Sequence, residues 1–258
     1  LFKAALNNSL REALEVAAPA GLSANRVRWE LSSNPDFGDY FTTALLALDH
    51  DELTIQSVAQ TIATKIANCA GVLRAEATGS GFVNIFVSLS TAAQALKGLE
   101  EWINDNVPSN WLITPDAQKI HRYCPDTKLR FAYSVWQIIA SWSSDVAAGI
   151  RMLAEDSALA LLCDPDEFAV ILQLHEFPER LSDGMSSGYL YRLAVLIRDG
   201  FFWQNQLAPF WINDWEEPRV VQPRKYLLSL CECVMRIGIN VILEKGITSH
   251  GRTNGSVD

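Results

Sequence analysis

The residues with most scope for chemistry are few, and each can be held against what its chemistry requires. Gly79-Ser80-Gly81 sits in the run ATGSGFVNIFVS. Glycines so close together suit a backbone that turns sharply or cradles a phosphate. A dinucleotide loop needs G-x-G-x-x-G between a strand and a helix, so that the helix N-terminus faces the pyrophosphate. Here Asn84 occupies the third glycine's place, and Phe82, Val83, Ile85, Phe86 and Val87 are strand formers. No Gly-Lys-Ser/Thr occurs in the chain, which removes a P-loop. The run is predicted to be a tight connection between two strands rather than a nucleotide site.

The other reactive types read the same way. Cysteines stand at 69, 124, 163, 231 and 233, and histidines at 50, 121, 175 and 250. Cys231 and Cys233, two apart on a helix, point to different faces, so no metal site and no cofactor is expected. His175 is a lone histidine beside acids and is predicted to be a surface or capping residue. Asp164-Pro165-Asp166-Glu167 fits a helix start, with Asp at the N-cap, Pro at N1 and Glu at N3, better than a catalytic carboxylate pair. With no nucleophile–histidine pair at a known spacing, no catalytic residue is assigned and the chain is expected not to be an enzyme. Thiols inside apolar patterns suit a reducing compartment, the cytoplasm or an organellar equivalent.

Charge argues about partners. The net charge of −9 repels phosphate backbones at long range, so nucleic-acid binding needs a local basic patch. Residues 1–88 carry six basic and nine acidic side chains, and 131–258 ten and sixteen. The best basic patch is Lys119-Ile120-His121-Arg122 with Lys128 and Arg130. Aromatic residues cluster in FFWQNQLAPFWINDWEEP, where Trp211 and Trp215 lie beyond Pro209 among Asp214, Glu216 and Glu217. Two readings stand there: a loop folded back to plug the end of a bundle, or an exposed anchor for a basic protein surface. Apolar runs fall short of the ~18 residues a membrane span needs, so no membrane is expected.

Those residues must be held by elements. Apolar spacing predicts a helix over 1–18, a strand over 27–31, helices over 41–48 and 55–69, strands over 72–77 and 81–87, and a helix near 89–105. A proline-rich polar stretch follows, and from Arg130 onward the pattern is helical. Helices are predicted from Asp164, over 189–202, and over 227–243, the last amphipathic and entered through Pro223. The fold class is therefore α+β: a small N-terminal α+β domain over 1–88, a helix and linker over 89–128, and an all-α helical bundle over 129–258.

Three segments carry a resemblance. NPDFGDYFTTALLAL and EATGSGFVNIFVS are similar to the Gly-Asp-Tyr and Ala-Gly-Pro-Gly-Phe-Ile-Asn signatures of the arginyl-tRNA synthetase N-terminal domain. SSGYLYRLAVLIRDGFFW resembles the DALR-type anticodon-binding bundle of the same enzymes. The resemblance implies a tRNA partner, since the N-terminal domain of that family packs where the tRNA D-loop lies. Phe82 and Asn84 are then candidate tRNA contacts, with Lys128 and Arg130. The family's catalytic domain, with its HIGH-like and KMSK-like signatures, has no counterpart between the two halves. Where the family's bundle reads Tyr-Ala-His-Ala-Arg, this chain has Phe131-Ala132-Tyr133-Ser134-Val135. The expected function is a noncatalytic synthetase paralogue that binds tRNA or presents it to another factor. The alternative is a protein-interaction module on a repurposed scaffold, with Trp211 and Trp215 as the partner-binding residues.

Overall fold

Leu6, Leu10, Ala13 and Leu14 recur at helical spacing, and helix α1 (Phe2–Ala17) buries that stripe. The computed structural model describes residues 1–17, 27–47, 51–113, 118, 159, 162, 164–188, 190–198 and 218–251, with side chains from 223 to 245 in the last stretch. The chain divides into two units, Leu1–Gly98 and Leu99–Asp258, the division falling within one helix.

The first unit is mixed α+β. After α1 come β1 (Glu30–Leu31), β2 (Tyr40–Thr42), α2 (Glu52–Ile66), β3 (Val72–Ala77), β4 (Val83–Val87) and α3 (Leu89–Gln94). The strands form one antiparallel sheet in the order β1-β2-β4-β3. Asp51 caps α2 through Thr54, and the helix lays Val58, Ala59, Ile62, Ala63 and Ile66 against β3 and β4. Val83, Ile85 and Val87 alternate into this core. Trp29, fully buried, is tied to α1 twice: its backbone N–H donates to Asn7 Oδ1 at 2.9 Å and its indole N–H to the Leu6 carbonyl at 3.1 Å.

The helix predicted over 41–48 is corrected. Residues 40–42 are a strand, and Ala44–Ala47 form a 3-10 turn. Tyr40 and Thr42 pair with Ile85 and Val83 and are buried, so tertiary pairing overrides the helix-like run that follows.

The second unit is helical in its described part. Most of α4 (Leu96–Asn106) belongs to it, followed by α5 (Pro165–Ser187), α6 (residues 191–198) and α7 (Pro218–Gly251). The expected capping box is present: Asp164 accepts from the Asp166 N–H at 2.8 Å, and Glu167 reaches back to the Asp164 N–H at 3.1 Å. Gly188, left-handed at φ 71°, ends α5. Phe177 packs edge-on against Trp102 of α4 at 6.3 Å. His175 is buried at 4% exposure, not on the surface, because it shares the inward side of α5 with Leu174 and Phe177.

Helix α7 departs from its expected form in two ways. It begins at Pro218, so Pro223 lies inside it rather than at its entry. Tyr226 to Met235 are buried without interruption, so this stretch is not amphipathic but surrounded, as a central core helix must be. Its Gly238 leaves the seat for Ile197 of α6: a Cβ there would lie 1.7 Å from Ile197 Cδ1. Pro223–Lys245 is also long and apolar enough to cross a membrane by length and composition alone, with mean hydropathy 1.7, correcting the expectation of no such run. Its apolarity is explained by the core, since 78% of it is buried inside the protein.

Several polar side chains inside this unit are paired, while Gln173 Oε1 is buried without a hydrogen bond among the described residues. Glu167, fully buried, accepts from Arg224 at 2.5 Å. Glu232 pairs with Arg236, one turn on. The Tyr226 hydroxyl donates to Glu100 at 2.7 Å, and burial with that carboxylate pushes its pKa far up. Trp111-Leu112-Ile113 forms a strap on α7: the Trp111 indole donates to Glu244 at 2.8 Å, and Asn240 donates to the carbonyls of Trp111 and Ile113.

Candidate functional site

Antiparallel pairing sorts the sheet's side chains into two sets. Residues directly opposite one another share a face, and neighbours along a strand do not. Tyr40, Thr42, Val83 and Ile85 face the helices. The other face carries Glu30 and its partner Phe41, Asn84 opposite both Phe41 and Glu76, and Phe86 opposite Arg74. An irregularity between Val72 and Arg74 shifts the register of β3 and brings Arg74 level with Phe86.

Two glycine turns build this face. Between β3 and β4, Thr78 N–H donates to the Phe82 carbonyl and Gly81 N–H to the Thr78 carbonyl. Gly81 has φ +87°, and a Cβ there would stand 2.6 Å from Ile55 Cγ2. The Gly-Ser-Gly run is therefore a strand connection, as expected. It sets Phe82 beside Phe41, with ring centroids 6.3 Å apart. At the other turn, Gly38 has φ +97° and no room for a Cβ, which would lie 2.7 Å from the Ile85 carbonyl oxygen. Its neighbour Asp39 donates its N–H to that carbonyl at 2.8 Å and accepts from the Val87 N–H at 2.7 Å. Burial raises the Asp39 pKa, and the Val87 hydrogen bond opposes that rise. The Gly-Asp-Tyr signature thus fastens β2 to β4.

At the centre lies Asn84, 7% exposed. Among the described residues its side-chain amide has no hydrogen-bond partner. Phe41, Phe82 and Phe86 are half-buried around it. The Arg74 guanidinium lies 3.6 Å from the centroid of the Phe86 ring, within stacking distance, and its Nη1 is 2.7 Å from Glu76 Oε1. This face can stack planar groups on aromatic rings and present an amide to their edges.

The structure thus brings together Phe82 and Asn84. Lys128, Arg130, Trp211 and Trp215 lie outside the described residues. Phe41, Phe86 and Arg74 were missed from sequence. The alternation Phe82-x-Asn84-x-Phe86 was the available signal, but Phe41 and Arg74 join only through pairing. Among the described residues no cluster of three or more His, Cys, Asp or Glu could hold a metal. Burial pushes the Cys231 thiol up to about 12 and the Cys233 thiol to about 11, which suits packing rather than reactivity.

Residues 4–87, less than half of the chain, match the family described as arginyl tRNA synthetase N terminal domain. No curated relative matches the chain, and no solved structure does.

Proposed function

We propose that this chain is a noncatalytic relative of arginyl-tRNA synthetase that binds tRNA, or presents it to another factor, through the aromatic face of its N-terminal sheet. The observation that carries the reading is Asn84: a residue 7% exposed whose amide has no hydrogen-bond partner among the described residues, set between phenylalanines. Its amide is left to meet a ligand edge that offers donor and acceptor. Single-stranded RNA offers both that edge and a stacking surface worth ~1–3 kcal/mol per base. Loops of tRNA expose such bases. In this reading the helical unit is a DALR-type anticodon-binding bundle, with Lys128 and Arg130 as phosphate contacts.

Mobility shift with tRNA at low salt tests it. Phe82→Ala and Asn84→Ala are each expected to weaken binding about tenfold or more. Replacing Lys128 and Arg130 by Ala should lower both affinity and salt slope. Absence of any shift by the unmodified chain would remove the tRNA reading.

The charge balance favours a second reading, a protein-interaction module. The chain carries −9, and on the sheet face Glu30 and Glu76 outnumber Arg74. Trp211 and Trp215, set among acids, would then anchor a basic partner.

A further inference from the structure

We infer that Arg74 is the phosphate contact of the aromatic sheet face and that Glu76 is its built-in competitor, which an RNA phosphate must displace. The inference rests on the RNA reading above and adds to it the means by which the face sets its own affinity.

The geometry is that of a cation already aimed. Contact with the Phe86 ring holds the Arg74 guanidinium against the sheet face, which lessens the ordering left to be done when an oxyanion arrives. Glu76 is its one hydrogen-bond partner among the described residues, and that contact uses a single Nη1 donor. The remaining donors of the fork stay available to a phosphate. Arg74 and Glu76 side chains are 58% and 49% exposed, so their pairing is weak and open to exchange.

Placement supports the same assignment. Glu76 sits directly opposite Asn84, and Arg74 directly opposite Phe86. Arg74 is thus the diagonal cross-strand neighbour of Asn84, about 7–8 Å away in sheet geometry. That is within the span of a single nucleotide. A base held at Asn84 leaves Arg74 within reach of a phosphate of the same strand. Glu76, beside both, loses its cation and repels the incoming charge unless it swings into solvent.

A double-mutant cycle with a single-stranded tRNA-loop oligonucleotide tests this, on the full chain at low salt. Glu76→Gln is expected to tighten binding about two- to fivefold, and Arg74→Ala to weaken it by at least as much. In the Arg74→Ala background, Glu76→Gln should give a clearly smaller gain, because only relief of repulsion remains and there is no cation left to release. Both side chains are largely exposed, so melting temperatures should stay unchanged. If Glu76→Gln gains equally with or without Arg74, or gains nothing alone, the competitor role is overturned while RNA binding stands. If the unmodified chain and every variant fail to bind, the RNA reading itself falls and this inference with it.

Discussion

The two units solve opposite problems with polar groups. In the helical unit several buried polar groups are tied to one another: Glu167 has Arg224 and a capping N–H, Glu232 has Arg236, and the Tyr226 hydroxyl has Glu100. In the sheet unit the polar group that stands out is the one left over. Asn84 sits among three rings with no hydrogen bond among the described residues. A completed network serves to fix a core, whereas an amide without an internal partner is left for something outside to meet. The difference teaches where each unit spends its specificity: inward in the helices, outward on the sheet.

The largest test of that contrast is Glu167→Ala. It removes the buried carboxylate that pairs with Arg224 and the N3 half of the capping box. A loss of about 3–5 kcal/mol is expected in denaturant melts of the helical unit. A loss below 1 kcal/mol would mean that the pair is not structural. Next, Gly238→Ala should cost about 1–3 kcal/mol through the clash with Ile197, and Ile197→Ala should relieve part of it in a double-mutant cycle.

Asn84→Leu sharpens the comparison because its two readouts should move in opposite directions. Replacing an unpartnered amide by an apolar group of similar size should leave stability unchanged or raise it by about 1 kcal/mol, while RNA affinity falls. A clear loss of stability would make Asn84 a structural residue like Glu167. The smallest effect concerns titration. Burial raises the Asp39 pKa, so its ionised form is disfavoured in the fold. The stability tied to that raised pKa is present below the unfolded value and lost as pH rises through the folded one. Asp39→Asn keeps an acceptor for Val87, and should flatten this pH dependence in urea melts taken just above the ordinary carboxylate range.

Local signals were legible from sequence. The Asp164 cap, the Gly81 turn and the apolar stripe of α2 each depend on residues a few positions apart, and each stands where spacing put it. What depended on distant partners was not legible. The three-residue strand β2 is too short for a period, and it exists because residues 83–85 pair with it. His175 looked like a surface residue because neighbouring acids suggested solvent, but the inward side of α5 is decided by what packs there. Helix α7 read as amphipathic because one stripe is always the most apolar, and only surrounding helices show that all sides are covered. On the sheet face, Phe82 and Asn84 could be named from one strand, while Arg74 required the register of β3.

The strap on α7 bears on how this chain comes off the ribosome. Its hydrogen bonds from Trp111 to Glu244 and from Asn240 to Trp111 join residues 133 and 129 positions apart, and Tyr226 reaches back 126 positions to Glu100. Pairs so distant close late, since the loop between them must be synthesised before either contact forms. The β3–β4 hairpin, by contrast, can pair within moments of emerging. Synthesis therefore leaves Trp111 and Glu100 without their α7 contacts until that helix arrives. A premature stop ahead of residue 218 would leave those side chains without their partner helix, and such a product should be degraded even though its sheet domain has folded.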